Sequence, residues 1–203
     1  RSTEFWLPAG GPAGKPQWGH GPPVSFAFSL WNGRYRLSLD AYYKRLYNQI
    51  EYSGTPYDFV NSVYDLYKSL LHGDGKNYGV NVMFAKCTGK LTGWISYSWG
   101  RALRMYDYPQ LSGTFPANHE RIHELNVVST WRVGKRWTLG ATYVMASGTP
   151  FTAPRSFYVI NGKIFSQFGE HNANRLPLYS RLDVSVNVRL GKLSRHWQHF
   201  LNV

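Results

Sequence analysis

Cysteine is nearly missing. The chain of 203 residues holds one, Cys87, so no internal disulfide staples it. Acidic residues are scarce, with 11 Asp and Glu against 23 Lys and Arg, a formal net charge of +12. No run approaches about 18 apolar residues, which excludes a transmembrane helix. A mean hydropathy of −0.39 agrees with that. Crossing by β-strands stays open, because alternating apolar and polar residues cancel on any hydropathy scale. The sequence has no GxGxxG, no phosphate-binding loop and no GxSxG. Dinucleotide binding, nucleotide hydrolysis and serine-hydrolase chemistry therefore have no anchor. The basic excess is scattered through turns, loops and alternating positions, with no nucleic-acid-binding motif beside it, so no nucleic-acid partner is expected. The chain opens at Arg1 with no Met, charged segment or apolar core of a signal peptide. It stops at Val203 in what reads as a strand just beginning. Both ends read as cuts, and residues 1–203 as part of a single larger domain.

What is abundant is aromatic: 15 Tyr, 11 Phe and 8 Trp make 17% of the chain. Such a load suits β-structure, and it suits the belts where a protein crosses a membrane interface. An aromatic-rich soluble β-sandwich, such as a carbohydrate-binding domain, shares the composition.

The stronger signal is period two. Val24, Phe26, Phe28 and Leu30 alternate with Ser25, Ala27 and Ser29. Tyr35, Leu37, Leu39, Ala41 and Tyr43 alternate with Arg36, Ser38, Asp40 and Tyr42. The same holds for 78–84, 91–99 and 137–145, most cleanly for 182–190, and more noisily for 121–131. Successive side chains of a strand point to opposite faces, so each segment has one apolar and one polar or small face. Segment 59–71 is the exception and reads as a helical turn or two.

The connections alternate in length. Short turns fall at Asn32-Gly33, at Thr88-Gly89-Lys90, at 133–136 and around 191–195; long loops fall at about 53–75, 104–118 and 148–176. In a chain of antiparallel hairpins every second connection lies at the same end of the sheet. One end thus carries tight turns and the other long loops, the asymmetry of outer-membrane barrels. Aromatics flank the tight turns: Trp31 and Tyr35, then Trp131 and Trp137, then Trp197. The fold expected is all-β, a partial antiparallel transmembrane β-barrel of about eight or nine strands.

His119-Glu120-Arg121-Ile122-His123 matches HExxH, whose zinc chemistry needs both histidines one turn apart on a helix, with the glutamate as base. The context is wrong. Pro116 stands just upstream, Asn126 to Thr130 alternates like a strand, and strand positions four apart lie about 13 Å from each other. The other histidines (His20, His72, His171, His196, His199) fall in loops or near the chain ends. Neither a metal site, a cofactor nor enzyme activity is expected, although a zinc-dependent hydrolase is the alternative that HExxH carries. Charged residues on polar strand faces, Arg36, Asp40, Glu124, Asp183 and Arg189, are the candidates to line a lumen, with Arg36–Asp40 and Asp183–Arg189 as pairs. Tyr57, Tyr64, Tyr106, Tyr108, Arg155 and Tyr158 in the long loops are the candidates for ligand contact.

Several stretches resemble TonB-dependent outer-membrane receptors: RYRLSLDAYYKRL at 34–46 with NQIEY at 48–52, YGVNV at 78–82, GKLTGWISYS at 89–98, FPANHERIHELN at 115–126, GTPFT at 148–152 and NRLPLYSRLD at 174–183. The ordered set covers nearly the whole chain. In the family His123 is a strand residue. The resemblance implies a 22-stranded barrel in the Gram-negative outer membrane, an N-terminal plug domain not contained in this chain, and energy delivered through the TonB complex. The implied function is uptake of a scarce solute: an iron chelate, a cobalamin or an oligosaccharide. A passive outer-membrane channel is the other reading of the same barrel.

Overall fold

In the computed structural model the described residues are 14–52, 70–109, 111–160, 163–190 and 199–202. All regular structure among them is β. The long elements are β2 (Pro23–Leu30), β3 (Tyr35–Tyr52), β4 (Leu70–Lys86), β5 (Leu91–Tyr108), β7 (His123–Val133), β8 (Trp137–Ala146) and β13 (Tyr179–Leu190). Shorter ones are β1 (Trp18–His20), β6 (Leu111–Pro116), β9 (Pro150–Phe151), β10 (Pro154–Ile160), β11 (Lys163–Phe168), β12 (Asn174–Arg175) and β14 (His199–Asn202).

One sheet runs β1-β3-β4-β5-β7-β8-β13-β14, eight rows across and antiparallel throughout. Its edge row is interrupted: β1 pairs with Arg45–Tyr47 of β3 and β2 with Tyr35–Tyr42, so the two continue each other. Beside β5 the same happens again. β7 pairs with Leu91–Trp99 and β6 with Leu103–Tyr108, and residues 117–122 bend between them.

The register lines up the alternation. One row reads Phe28, Leu37, Phe84, Ile95, Val127, Tyr143, Leu182 across seven strands. The opposite face has Ser25, Asp40, Asn81, Ser98, Glu124, and another row has Ser29, Arg36, Ala85, Trp94, Val128, Thr142, Asp183. A one-residue slip of any strand would put its apolar set on the polar face, so the pattern fixes the pairing. No described residue covers the apolar face: Phe28, Phe84, Ile95 and Leu182 are 41–63% exposed. A bare apolar face continuous over seven strands is far larger than a water-soluble monomer tolerates. The soluble sandwich needs a second layer there, and the described residues supply none.

Buried side chains gather elsewhere, at the loop end. Leu71, Tyr106 and Phe115 form a small core flanked by Tyr108 and Leu111, with the Tyr106 and Phe115 rings stacked at 5.6 Å.

The tight turns fall where expected. Trp31 (φ 49°), Asn32 (φ 58°) and Gly33 (φ 80°) are three consecutive left-handed residues in the turn between Leu30 and Tyr35, closed by the Arg34 amide donating to the Trp31 carbonyl at 3.2 Å; Asn and Gly suit its two central positions. Gly89 and Gly134 likewise take positive φ in the next two. Residues 191–198, with Trp197, lie outside the described set.

The loop end differs from expectation. β4 begins at Leu70, so residues 70–75 are strand. Residues 59–69 of the expected helical turns lie outside the described set, and 70–71 are strand. The expected loop 104–118 is mostly a hairpin, β5 continuing to Tyr108 and β6 returning along it. The expected loop 148–176 contains the β10–β11 hairpin and the short β9–β12 pair. The physical reason is length. β3 and β5 have 18 residues each and β4 has 17, whereas about 9–11 span a bilayer. Beyond the bilayer pairing continues, and one face is buried against neighbouring segments: Ala102, Arg104 and Tyr106 alternate as buried positions of β5.

Candidate functional site

The polar face is best furnished where β5 outgrows β7. Ladder pairing on that side of β5 fails across the 117–122 bend, and the Ala102 amide would be left without a backbone acceptor. The side chain of Glu120 supplies it, with Oε1 accepting from Ala102 N at 2.9 Å. The same oxygen accepts from Arg101 Nε at 2.8 Å, and Oε2 accepts from Arg175 Nη2. The bend is pinned further by Ala117 N to Ala102 O at 2.7 Å and Gly100 N to Ile122 O at 3.0 Å. Glu120 is 2% exposed. Burial alone would push its carboxyl up; the Arg101 bond, the Ala102 amide and the Arg175 bond outweigh this and hold it below the usual carboxylate range.

Arg175 stands on β12, 55 positions from Glu120, in the segment that links β8 to β13. Asn172 ties the same segment down a second time. Its backbone is left-handed (φ 55°) and its Nδ2 donates to the Pro116 carbonyl at 2.8 Å and to Asn118 Oδ1. The His171 ring meets Phe115 edge-on at 4.5 Å. Three contacts thus dock the 147–178 segment on the β6–β7 bend.

Beside this joint lies a polar cleft of about 280 Å³, lined by Tyr42, Asn77, Asn81, Ser98, His119, Glu120, Arg121 and Glu124 among others. Gly100 is part of its lining. Gly79 and Gly100 pair across β4 and β5, and the Tyr42 hydroxyl lies over both. A Cβ on Gly79 would come within 2.8 Å of that hydroxyl, one on Gly100 within 3.0 Å. Lys44 Nζ sits 5.9 Å from the centre of the same ring. Amides, hydroxyls and carboxylates around a shared space, with the aromatic residues Tyr42 and Trp99, suit a polar solute with many hydrogen-bonding groups.

HExxH does not form a zinc site. His119 is in a turn, His123 opens β7, and residues 119–123 contain no helix. Glu120 is clamped by two arginines, and His123 Nδ1 shares a hydrogen bond with the Tyr97 hydroxyl at 2.7 Å. Among the described residues no cluster of three or more His, Cys, Asp or Glu is placed to hold a metal.

Residues 24–203 match the family model described as TonB dependent receptor-like, beta-barrel. The chain belongs to the TonB-dependent receptor β-barrel family. No curated protein matches it. This is a family of transport receptors of the Gram-negative outer membrane, not of enzymes, and the order of resembling stretches in the sequence follows from membership.

The structure distributes the expected site residues of this receptor barrel unevenly. The register puts Arg36, Asp40, Glu124 and Asp183 on the polar face, and Arg189 shares the parity of Asp183. The expected pairs do not form as drawn. Asp183 pairs with Arg181, two positions away, at 2.8 Å, and no ion pair joins Arg36 to Asp40. Arg36 and Asp40 stand four apart on one strand and Asp183 and Arg189 six apart, too distant in an extended chain, whereas i and i+2 are close neighbours on one face. Glu124 alone of this set lines the cleft; its Oε1 accepts from Asn126 Nδ2 at 3.0 Å.

Of the ligand-contact candidates, Tyr57 and Tyr64 lie outside the described residues. Tyr106 is 5% exposed and its hydroxyl donates to the Gln49 carbonyl at 3.2 Å, a packing position with no surface for a solute. The Tyr108 hydroxyl accepts from the His72 amide at 3.3 Å and its ring flanks the small core. Arg155 and Tyr158 are exposed on β10. Sequence reading missed the Arg101–Glu120–Arg175 joint. Its only signal was Glu120 inside a motif of unrelated chemistry.

Proposed function

We propose that this barrel takes up a scarce solute, too large for passive pores, across the Gram-negative outer membrane: an iron chelate, a cobalamin or an oligosaccharide. The observation that carries the reading is the continuous register of seven strands, which gives one bare apolar face for lipid and one polar face opposite it. In this reading Arg36, Asp40, Glu124, Asp183 and Arg189 face the lumen. The cleft beside Glu120 lies on the solute's path, and Tyr57, Tyr64, Arg155 and Tyr158 meet the solute first. Residues 1–203 are part of a larger barrel, with a plug domain elsewhere in the protein filling the lumen and the TonB complex supplying energy. Family membership supports an energised receptor over a passive channel.

The test uses the full-length receptor. Its gene is deleted in its own host, and uptake of labelled iron chelates, cobalamin and oligosaccharides is measured with and without a functional TonB complex. The reading expects one solute class to lose uptake in both strains and the protein to fractionate with the outer membrane. Uptake that survives loss of TonB supports the passive channel instead. Recovery of the protein in the soluble fraction overturns both.

A further inference from the structure

The apolar face ends, toward the loops, in a row of basic side chains. His20 on β1 pairs with Arg45 on β3, and Arg45 pairs with Lys76 on β4, so the three stand side by side. All three have the parity of the apolar face, two positions beyond the Tyr43–Tyr78 row. Neighbouring strands lie about 5 Å apart, so the row spans about 10 Å, the scale of one phosphate group with its hydrogen-bond donors.

Its height on the wall is set by the strand. From Tyr35, in the aromatic rim at the tight turns, to Arg45 is ten residues. That is about 33 Å along the strand, and about 25 Å along the membrane normal at a tilt of about 40°. An outer-membrane barrel has an apolar band about 25 Å tall. Arg45 therefore stands where hydrocarbon gives way to headgroups. The aromatic neighbours agree. Trp18 stacks on Tyr47 at 4.3 Å and His20 lies 5.6 Å from the same ring, an arrangement suited to the interface.

Among the described residues the row itself holds no acidic side chain. No acidic side chain pairs with His20, Arg45 or Lys76 among the described residues. Asp74, exposed and two positions from Lys76, and Asp107, exposed and four positions from Leu103 beside Lys76, are the acidic groups sharing this face further toward the loops, and the Arg101 guanidinium is turned to Glu120. Excess positive charge at headgroup height, directly above bare apolar surface, matches an anionic head on acyl chains.

We propose that His20, Arg45 and Lys76 form a binding site for the phosphate of a lipid in the leaflet on the loop side. Arg45 supplies a planar fork of donors, Lys76 a point charge and His20 a ring N–H, while the acyl chains lie along Val24, Ala41 and Val80. The site rests on the reading that the apolar face meets lipid.

Native mass spectrometry of the full-length receptor in neutral detergent tests it, with phosphatidic acid as probe, diacylglycerol of the same chains as its phosphate-free counterpart, and inorganic phosphate as competitor. The expected result is retention of phosphatidic acid over diacylglycerol, little competition by inorganic phosphate, and about a fivefold loss of affinity for each of Arg45→Gln and Lys76→Gln, since a basic residue at the membrane surface contributes about 1 kcal/mol. Arg45→Lys retains most of the binding, and Lys90→Gln, at the opposite rim, changes nothing. Heat-modifiable migration confirms that each variant is folded. Equal retention of both lipids by the wild type, or full retention by the folded double Gln variant, overturns the site. Displacement by inorganic phosphate overturns the lipid as its ligand. A receptor that still needs detergent in those cases leaves the membrane reading standing.

Discussion

The Glu120 carboxylate accepts the Ala102 amide at 2.9 Å, so a side chain takes the place of a strand where the ladder beside β5 is broken. Two cations then neutralise that carboxylate, one from the wall and one from the 147–178 segment. A local backbone requirement thereby becomes a joint between distant parts of the chain.

Removing the carboxylate should loosen both. Glu120→Ala leaves two partly buried guanidiniums and a buried amide without their acceptor, a loss of about 3 kcal/mol or more. Glu120→Gln keeps an acceptor for the amide and costs about 1–3 kcal/mol. Hydrogen exchange should show faster opening of 147–178 in both variants, with little change in β2 and β3. Uniform destabilisation of the whole sheet would contradict the joint.

Acid should mimic the mutation. The folded Glu120 carboxyl is held below its ordinary value, so its contribution is fully present above the ordinary carboxylate range and is lost as pH falls through the folded value. Exchange in 147–178 is expected to accelerate as pH drops below that range, after correction for intrinsic rates. Glu120→Gln should lack this component; the same acceleration in that variant would assign it to another group.

The Gly79–Gly100 pair should not accept side chains. Gly79→Val brings Cβ within 2.5 Å of the Trp99 carbonyl and onto the Tyr42 hydroxyl, which forces β4 and β5 apart. Loss of the folded, heat-modifiable form is expected on assembly into detergent or vesicles. Tyr42→Phe, which keeps the ring, should assemble at near wild-type yield.

The two faces should respond oppositely to charge. Ile95→Arg places a cation in the middle of the apolar band, a loss of about 2–4 kcal/mol in reversible unfolding from bilayers. Ser96→Arg, one residue on, falls on the polar face and should change stability little. Equal losses would mean that the apolar face does not meet lipid.

Arg155 and Tyr158 stand exposed on β10, outside the joint. If they meet the solute first, Arg155→Ala should weaken its binding about tenfold with unchanged thermal stability. Calorimetry on the full-length receptor, once the uptake assay has named the solute class, measures this directly.

How far the sequence reached depended on where each residue sits. Period-two alternation arises wherever a strand divides two unlike solvents, so Val24–Leu30 and Leu182–Leu190 could be assigned to strands and sorted into faces with no partner in view. The Asn32-Gly33 turn was equally legible, because left-handed φ at two consecutive positions restricts the residues allowed. Beyond the bilayer that logic lapses. Leu103–Tyr108 and Lys163–Phe168 form strands beyond the wall, where pairing depends on another segment and not on a boundary between two solvents. Tyr106 read as a loop residue for the same reason, and only its contact with Phe115 and Gln49 shows it to be core.

The sequence by itself determined the strands of the wall, their two faces and the end at which they turn, since each of these is set by neighbours one or two residues away. The tertiary structure alone decided that Glu120 is a joint and not a catalytic base, and that His20, Arg45 and Lys76 share one row. Those relations join residues 18 to 56 positions apart, and their geometry exists only after the ladder has set the register.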